Sequence, residues 1–425
     1  MKYDTIEATD CIESARHQNQ RGAFLIMNVQ SLLEKAVNGE RLSAEEGLFL
    51  YREADLLDLG MAADAIRQRL VPGNLVTYLV DRNVNYSNVC TTNCQFCGFY
   101  RPLGHPESYV QTYEEIGARL AELVEYGGTR VLMQGGHHPE LRLSWYTGLL
   151  SYLREHYPSI ELDCFSPSEI DNLAKVENMS IREVLIALKE AGLAGVPGGG
   201  AEILDDEVRQ RVSPLKQDAA GWLEVQGTAQ SLGMATTATM VIGFGESLEQ
   251  RMNHLMKLRD LQDVSLREYN NGFIAFISWT VQKSELTSLG RSKFSDDYGA
   301  TAAEYLRHTA LARIMLDNFN HIQASWVTQG PKIGQVSLKF GIDDFGSTML
   351  EENVVSNAAH DTYQCMGERE IHGFIRDAGF IPAKRDTHYN LIQAFEDPKD
   401  SENVPSMGIK QPRQAKQVEI PLMVK

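Results

Sequence analysis

The chain alternates short apolar runs with helical patterns from about residue 83 onward, and this alternation limits its fold most. Strands that alternate with helices form βαβ units, which pair in parallel. We therefore expect an α/β fold, a (β/α)8-like barrel of the TIM type, with a doubly wound open sheet as the competing architecture. Polar, Gly-rich loops after several strands favour the barrel, where such loops build the site. The predicted strands are Asn83–Val89, Thr129–Gln134, Ile160–Phe165, Leu193–Pro197, Thr236–Ile242, Phe273–Ile277 and Ile322–Val327, with an eighth near Gly341–Thr348.

Helix signals divide the chain into three regions. Residues 1–75 form an N-terminal extension that is helical over 28–70, residues 76–394 form the barrel with C-terminal elements, and the polar residues 395–425 form a tail, disordered or draped on the surface. Residues 247–262 and 301–319 are further long helical stretches. Capping boxes mark helix starts where Ser or Thr is followed three residues later by Glu. The predicted helix starts are Ser43 with Glu46, Thr112 with Glu115, Ser180 with Glu183, and Ser144.

The charge balance excludes several classes of partner. In 425 residues the chain has 40 Lys and Arg against 57 Asp and Glu, a formal net charge of -17. Such a surface repels nucleic acid and anionic lipid. The N-terminus lacks the basic and apolar regions of a signal peptide, and no apolar run reaches the ~18 residues of a membrane span. We expect a cytoplasmic protein that binds neither nucleic acid nor membrane.

Three cysteines follow the first predicted strand in the pattern C-x3-C-x-aromatic-C. Thiolates at Cys90, Cys94 and Cys97 can hold three irons of a [4Fe–4S] cluster and leave the fourth iron open to a small molecule, whereas most electron-carrying clusters have four cysteine ligands. A structural zinc site instead takes four ligands arranged in two pairs, and this sequence has no second pair of cysteines. The spacing favours the cluster. The remaining cysteines are isolated: Cys11, Cys164 and Cys365.

Glycines and carboxylates recur just after the next strands. Gly135-Gly136 would let backbone carbonyls approach a ligand's ammonium group. Glu169, Glu202 and Glu246 each follow a strand; a single Glu there is more often a helix-start residue, but the repetition favours a polar ligand with hydroxyls and an amine. No phosphate-binding loop or dinucleotide fingerprint is present. The adjacent histidines after Gly136 point apart and make a poor metal site.

The combination of these motifs resembles the radical S-adenosylmethionine superfamily. More closely, it resembles the branch of futalosine-pathway enzymes and deazaflavin synthases, and within it the cyclases that convert dehypoxanthine futalosine to its cyclic form in menaquinone biosynthesis. The resemblance spans roughly residues 83–390. The matching stretches are NVCTTNCQFCGFYR, VLMQGGHHPEL, FSPSEI, AGLAGVPGGGAEIL, LGMATTATM, ASWVTQG, DDFGSTMLEENVV and IRDAGFIPAKRDTHY.

The resemblance implies an oxidoreductase that uses a [4Fe–4S] cluster and S-adenosyl-L-methionine. A 5′-deoxyadenosyl radical would abstract a ribose hydrogen from a nucleoside–benzoate substrate, after which the sugar radical attacks the benzoate ring. The protein would supply position and a dry cavity. Electrons would come from a donor such as flavodoxin or ferredoxin.

The resemblance also implies roles for individual residues. Gly135 and Gly136 would hold the methionine amine, and Glu202 with Arg209 the amine–carboxylate end or ribose hydroxyls. Arg101 would bind the benzoate carboxylate, with a surface salt bridge as its alternative role. The further cofactor-binding candidates are Phe96, Glu169 and Gly243, and the candidate bases are His138, Asp344, Glu351 and Glu352.

Several alternatives stay open at this point. Within the branch, the chain could be an aminofutalosine synthase or a deazaflavin-synthase-like enzyme; outside it, a non-catalytic iron–sulfur electron carrier or a metal-independent barrel hydrolase. Four places differ from what the resemblance leads us to expect. They are Gly98, where we expect alanine, Ser278, the turn at 243–247, and residues 264–269, which we interpret as an altered loop.

Overall fold

A computed structural model describes residues 27–293, 295–358 and 365–405. The helices are α1 Val29–Val37, α2 Ala44–Glu53, α3 Leu56–Leu70, α4 Tyr113–Glu125, α5 Leu143–His156, α6 Pro167–Glu177, α7 Ile181–Ala191, α8 Asp206–Val212, α9 Ala219–Ser231, α10 Leu248–Tyr269, α11 Ala302–Met315, α12 Trp326–Gln329, α13 Pro331–Ser337 and α14 Glu368–Asp377. The strands are β1 Leu75–Leu79, β2 Asp81–Val84, β3 Arg130–Met133, β4 Glu161–Cys164, β5 Gly195–Val196, β6 Ala235–Ile242, β7 Phe273–Thr280, β8 Ile322–Gln323, β9 Asp344–Ser347, β10 Ile381–Arg385 and β11 Leu391–Ala394.

One bent segment closes the sheet into a barrel. β1 and β2 are separated only by Val80, yet β1 pairs with β9 and β10 while β2 pairs with β3. Between them, β3 to β9 pair in chain order and in parallel. The segment 75–84 therefore joins the first and last strands of this series. The predicted (β/α)8-like barrel is confirmed.

The N-terminal helices α1 to α3 pack directly on the barrel's own helices. The Tyr51 hydroxyl lies 3.1 Å from His308 Nδ1 on α11, and Gly60 faces the ring of Phe340. Apolar side chains of α1 to α3 belong to the same hydrophobic core as the barrel strands. The helical extension is therefore packed against the barrel rather than standing apart from it.

Three of the predicted helix starts are confirmed in full. Ser43, Thr112 and Ser180 each form a capping box with the Glu three residues on. The prediction that Ser144 starts a helix is wrong, because α5 begins at Leu143 and Ser144 lies inside its first turn. Arg142 at the cap position makes no side-chain cap bond, and the first helical amide, that of Leu143, donates to Glu177 at 2.6 Å instead.

Some predicted element bounds need correction. The first predicted strand lies too far along the chain, because β2 ends at Val84 and the following Asn85 uses its side chain to bond the Gln134 carbonyl. The predicted strand through Val327 is shorter, since α12 begins at Trp326. Residues 264–269 are the last turns of α10 and not a loop.

The chain stays packed beyond residue 394, the predicted end of the barrel region. Phe395 and Val404 are buried in the core, and Pro398–Glu402 form a 3-10 helix. β10 and β11, which the sequence pattern did not predict, extend the sheet outside the barrel, with β11 antiparallel. Residues 1–26 of the predicted N-terminal extension and the tail from 406 lie outside the described residues. Among the described helices, none is both long and apolar enough to cross a membrane.

The two serines offer a test of the helix starts. Ser180→Ala removes a hydroxyl that accepts from the Glu183 amide, whereas Ser144→Ala changes an exposed position inside a helix. We expect Ser180→Ala to lower the free energy of unfolding by about 1 kcal/mol. Ser144→Ala should leave it unchanged or slightly raise it, because alanine is the better helix former. Urea unfolding of both variants measures the difference, and equal losses would contradict the assignment.

Candidate active site

A cavity of about 340 Å³ opens at the carboxyl end of the barrel strands. Its wall is formed by the loops after β2 to β5 and after β7 and β8, by residues of the strands themselves, and by residues within 347–358 at the end of β9 and beyond it. Cys90, Cys94 and Cys97 all line it. The predicted location of the cysteine loop at the barrel mouth therefore agrees with the structure.

Backbone hydrogen bonds from several elements hold the cysteine loop. The amide of Cys90 donates to the Arg101 carbonyl at 3.0 Å, and Thr91 donates to the His137 carbonyl at 3.2 Å. Gln95 donates to the Val212 carbonyl at the end of α8 and accepts from the Leu289 amide at 2.8 Å. Contacts with four separate parts of the chain fix the loop without using the thiols.

The thiols themselves sit among few hydrogen-bond donors. Cys90 Sγ accepts from the His137 amide at 3.3 Å and lies 3.0 Å from the Thr92 hydroxyl. Burial raises the pKa of Cys94 to about 11 and also raises the pKa of Cys97. These thiols need a cationic partner to become thiolates, which bound iron provides.

The described residues contain no group of three His, Cys, Asp or Glu side chains placed to hold a single metal ion. A mononuclear zinc site on the cysteine loop is therefore not supported. A cubane cluster is bound differently, because each thiolate binds a different iron. The donor set, three thiols on one cavity wall, fits that cluster.

The Gly135-Gly136 turn approaches the cysteine loop closely. A Cβ atom at Gly135 would lie 2.5 Å from the Tyr86 ring, and one at Gly136 would overlap the Val89 carbonyl. Only glycine fits at either position.

Buried Glu169 fixes this turn. One of its oxygens accepts from the Gly135 amide at 2.8 Å and from the Tyr86 hydroxyl at 2.7 Å, while the other accepts from Ser166. Burial raises its pKa despite these bonds. Glu169 lines the cavity, but its oxygens are occupied in positioning the turn.

Glu202 and Lys216 form a buried ion pair on the cavity wall. Their side-chain atoms lie 2.7 Å apart, and Arg209 is 3.5 Å from the second Glu202 oxygen, which has no hydrogen-bond partner. Burial alone lowers the pKa of Lys216, but the negative groups at Cys94 and Glu202 outweigh it and raise the pKa. The φ of Glu202 is 41°, in the left-handed region that residues other than glycine rarely adopt, so the surrounding structure must hold this backbone in a strained conformation.

Lys216 is a site residue that the sequence analysis missed. It follows Glu202 by 14 residues in a loop before α9, and no motif marks it. Phe96, which was predicted, also lines the cavity, with its ring centre 5.7 Å from Lys216 Nζ and 5.2 Å from the centre of the Phe244 ring.

The structure places Arg101, Arg209 and Gly243 off the cavity wall. Arg101 pairs with Glu107 at 2.7 Å and donates to carbonyls of its own loop, so the salt-bridge alternative holds. Arg209 donates to the carbonyls of Ala201 and Gln217 and braces the Glu202 loop. Gly243 has a φ of 100° and packs against the backbone of Gly299, so its role there is conformational.

Most of the predicted bases also lie away from the cavity. His138 Nδ1 accepts from the Glu140 and Leu141 amides, and burial lowers its pKa. Asp344 is fully buried in an ion pair with Arg385.

Glu351 and Glu352 are neighbours with different surroundings. Glu351 lies 3.5 Å from Arg119 and 3.8 Å from Arg82, and does not line the cavity. Glu352 does line it, and its carboxylate accepts from the amides of residues 354–356, while burial raises its pKa. Glu352 is thus the predicted base that remains at the site.

Of the positions where the sequence departs from expectation, Gly98 has a local explanation. A Cβ at Gly98 would overlap the carbonyl of Asn357, so the residues after β9 pack too closely for alanine. Ser278 lies buried in β7 and does not line the cavity.

Comparison with protein families divides the chain into two parts. Residues 84–258 match the radical SAM superfamily model, and residues 270–398 match the model of the CofH/MqnC C-terminal region. The first match contains the cysteine loop and the cavity wall from β2 to β6. The second contains β7 to β11.

Similar proteins of named activity cover most of the chain. A cyclic dehypoxanthine futalosine synthase of Halalkalibacterium halodurans is 46% identical over 88% of this chain and 98% of its own length. One from Streptomyces coelicolor is 40% identical over 87% and 90%. An aminodeoxyfutalosine synthase of Thermus thermophilus is 37% identical over 86% and 96%.

Solved structures agree on the fold. The [FeFe]-hydrogenase maturase HydG superposes with a TM-score of 0.67 at 16% identity, covering 87% of this chain and 79% of its own. Methylornithine synthase (PylB) gives 0.63 at 19% identity, covering 88% and 100%. The two matched models, together with the relatives that are 46% and 40% identical over most of the chain, show that the chain belongs to the radical SAM superfamily, in the branch that carries the CofH/MqnC C-terminal region.

Proposed function

We propose that this chain is a radical SAM cyclase that converts dehypoxanthine futalosine to cyclic dehypoxanthinyl futalosine in menaquinone biosynthesis. The observation that supports this proposal most strongly is that the cysteine loop lines the barrel cavity together with Glu202 and Lys216. The choice of substrate rests on the similarity to the two cyclic dehypoxanthine futalosine synthases described above. A non-catalytic electron carrier would not need a ligand-sized cavity beside its cluster.

Cys90, Cys94 and Cys97 would hold the [4Fe–4S] cluster, and Gly135, Gly136 and the Glu202–Lys216 pair would hold S-adenosyl-L-methionine. The cluster and cofactor, when bound and reduced by a donor such as flavodoxin or ferredoxin, supply the 5′-deoxyadenosyl radical that abstracts the ribose hydrogen. Lys216 offers an ammonium for a carboxylate, and Glu202 has a free oxygen for an amine or hydroxyl.

The chain's own contribution is position and exclusion of water. The barrel wall and residues 347–358 enclose the cavity, and Trp279, Trp326 and Val327 line it with apolar surface. Such walls keep a radical from solvent. Glu352, which lines the cavity, would accept the proton lost in the last step.

Aminofutalosine synthase is the second candidate, since a relative with that type of activity also matches nearly full length. The reconstituted, reduced protein should be incubated with S-adenosyl-L-methionine and either dehypoxanthine futalosine or an enolpyruvyl benzoate, and the products identified by mass. We expect the cyclic product only from the first substrate. Turnover of the enolpyruvyl benzoate alone would favour the second candidate instead.

Replacement of the cysteines tests the cluster. We expect Cys90→Ala, Cys94→Ala and Cys97→Ala each to abolish turnover and most iron binding, because no other thiol lines the cavity among the described residues. Cys164→Ser and Cys365→Ser serve as matched controls and should keep the iron content and the visible absorption. A protein without all three loop cysteines that still binds four irons per chain would contradict the assignment.

Replacement of Glu202 tests cofactor binding. Glu202→Gln should weaken S-adenosyl-L-methionine binding at least tenfold, as expected for about 1.4 kcal/mol from a buried charged partner. The control is Glu246→Gln, which also removes a strand-end carboxylate, but one that bonds Arg251 off the cavity wall. Equilibrium dialysis with the reconstituted protein gives both affinities. Equal affinities for Glu202→Gln and the unmodified protein would leave Glu202 as a structural residue.

A further inference from the structure

Part of the barrel's inner wall carries side-chain amides without protein partners. Asn83 on β2, Gln134 directly after β3 and Gln323 on β8 all line the cavity, and none of their side chains makes a hydrogen bond within the described part of the chain. Gln282, by contrast, also lines the cavity but donates to the Thr280 carbonyl at 3.0 Å. We call the three unpartnered amides the amide arc.

Unpartnered amides inside a barrel call for a ligand with matching groups. The side-chain carbonyl oxygen of Asn83 (Oδ1) is shielded from solvent and accepts no hydrogen bond from the described residues. Leaving such an atom unpaired costs about 1–3 kcal/mol, so buried polar atoms are nearly always bonded. An amide both donates and accepts, as a hydroxyl does, so cavity-lining amides without protein partners suit a molecule with several hydroxyls.

The neighbouring part of the wall has a different character, since β7 pairs with β8 and Ile277 is the register partner of Gln323. β6 and β7 contribute Val241, Ile277 and Trp279, which form an apolar surface facing the cavity. Nearby, the Trp326 ring is held by a bond from its Nε1 to the Ser347 carbonyl at 3.2 Å. Such a surface takes an aromatic ring. Amide groups and an apolar surface suited to an aromatic ring therefore lie side by side on the cavity wall.

Charge on the wall limits the ligand further. Of the described cavity-lining residues, Lys216 is the one lysine or arginine, and it is paired with Glu202. Glu169 and Glu352 add acidic groups. The amide arc itself has no lysine or arginine, so it suits uncharged hydroxyls of a ligand rather than an anionic group.

We propose that the amide arc of Asn83, Gln134 and Gln323 recognises the unphosphorylated sugar hydroxyls of a substrate that also carries an aromatic ring, while Val241, Ile277 and Trp279 receive that ring. This inference rests on the proposed function and deepens it. It assigns substrate selectivity to two strand residues inside the barrel, Asn83 and Gln323, and to Gln134, which lies beside the loop residues that would hold the cofactor.

The test pairs changes in the protein with changes in the substrate. Values of kcat/KM are measured for dehypoxanthine futalosine and for analogues that lack the 2′- or 3′-hydroxyl, with the reconstituted full-length protein and its Asn83→Leu and Gln323→Leu variants. We expect the unmodified protein to lose at least about tenfold in kcat/KM with one of the analogues, because a bonded amide is left unpaired. In the matching variant this loss should shrink to about twofold or less, since the partner is already gone.

Gln282→Leu is the matched control, because it removes a cavity-lining amide that is already bonded. Its selectivity between the substrate and its deoxy analogues should equal that of the unmodified protein. Iron content and S-adenosyl-L-methionine affinity are measured for every variant, and should be retained. Where a leucine variant fails to fold, Asn83→Ser and Gln323→Asn replace it, with the same expectation.

The outcomes separate this inference from the proposed function. If the unmodified protein turns over the substrate but the variants discriminate against the deoxy analogues as strongly as it does, the amide arc is not the hydroxyl-binding surface. Equal turnover of substrate and analogues by the unmodified protein overturns the inference in the same way. If the unmodified protein turns over none of these compounds, it is the proposed function that fails. Faster turnover of a sugar-phosphate derivative would also contradict the inference.

Discussion

Closure of the barrel by the bent segment 75–84 is the constraint on which the rest of the structure depends. The segment pairs with the last strand of the series through β1 and with the first through β2. Buried charges at its middle hold it, since Asp81 lies 2.5 Å from Arg130 at the start of β3, and Arg130 lies 3.5 Å from Asp163 on β4. Removal of one partner from such a buried network leaves an uncompensated charge. Because β2 is fixed in this way, the loop that leaves it must cross the barrel mouth.

The structure separates residues that hold the site from residues that face it. Glu169, Arg209 and Arg101 use their polar atoms on backbone groups and ion pairs, and so shape the loops after the strands. The thiols of the cysteine loop and one oxygen of Glu202 remain available on the cavity wall. These neighbouring residues bond the backbone groups of the loops, so the thiols and the Glu202 oxygen stay free to bind a ligand. This is expected for a site built on rigid elements.

Local patterns predicted the elements well where one short signal decides the outcome. The capping boxes at Ser43, Thr112 and Ser180 were predicted because each needs only residues three apart. The barrel followed from strand–helix alternation. The true position of β1 did not, because LVTYL carries no signal that distinguishes a strand that closes a barrel from one in an open sheet.

The candidate site was predicted only in part, for reasons of distance along the chain. The cysteines and glycines are compact motifs, so their place at the mouth could be read directly. Lys216 and Gln323 reach the cavity through tertiary packing, and no local pattern marks them. Asp344 was a candidate base because of the family resemblance, but its burial with Arg385 depends on β10, which the sequence pattern did not predict.

The central claim is that this barrel presents the ribose of dehypoxanthine futalosine to the cofactor for hydrogen abstraction. The most direct test uses substrate deuterated at C4′, the ribose carbon that bears the exocyclic carbon, with the reconstituted and reduced protein. Mass spectrometry then follows the label in both products. The account predicts that deuterium appears in 5′-deoxyadenosine and is lost from the cyclic product. Deuterium retained wholly in the cyclic product would contradict it.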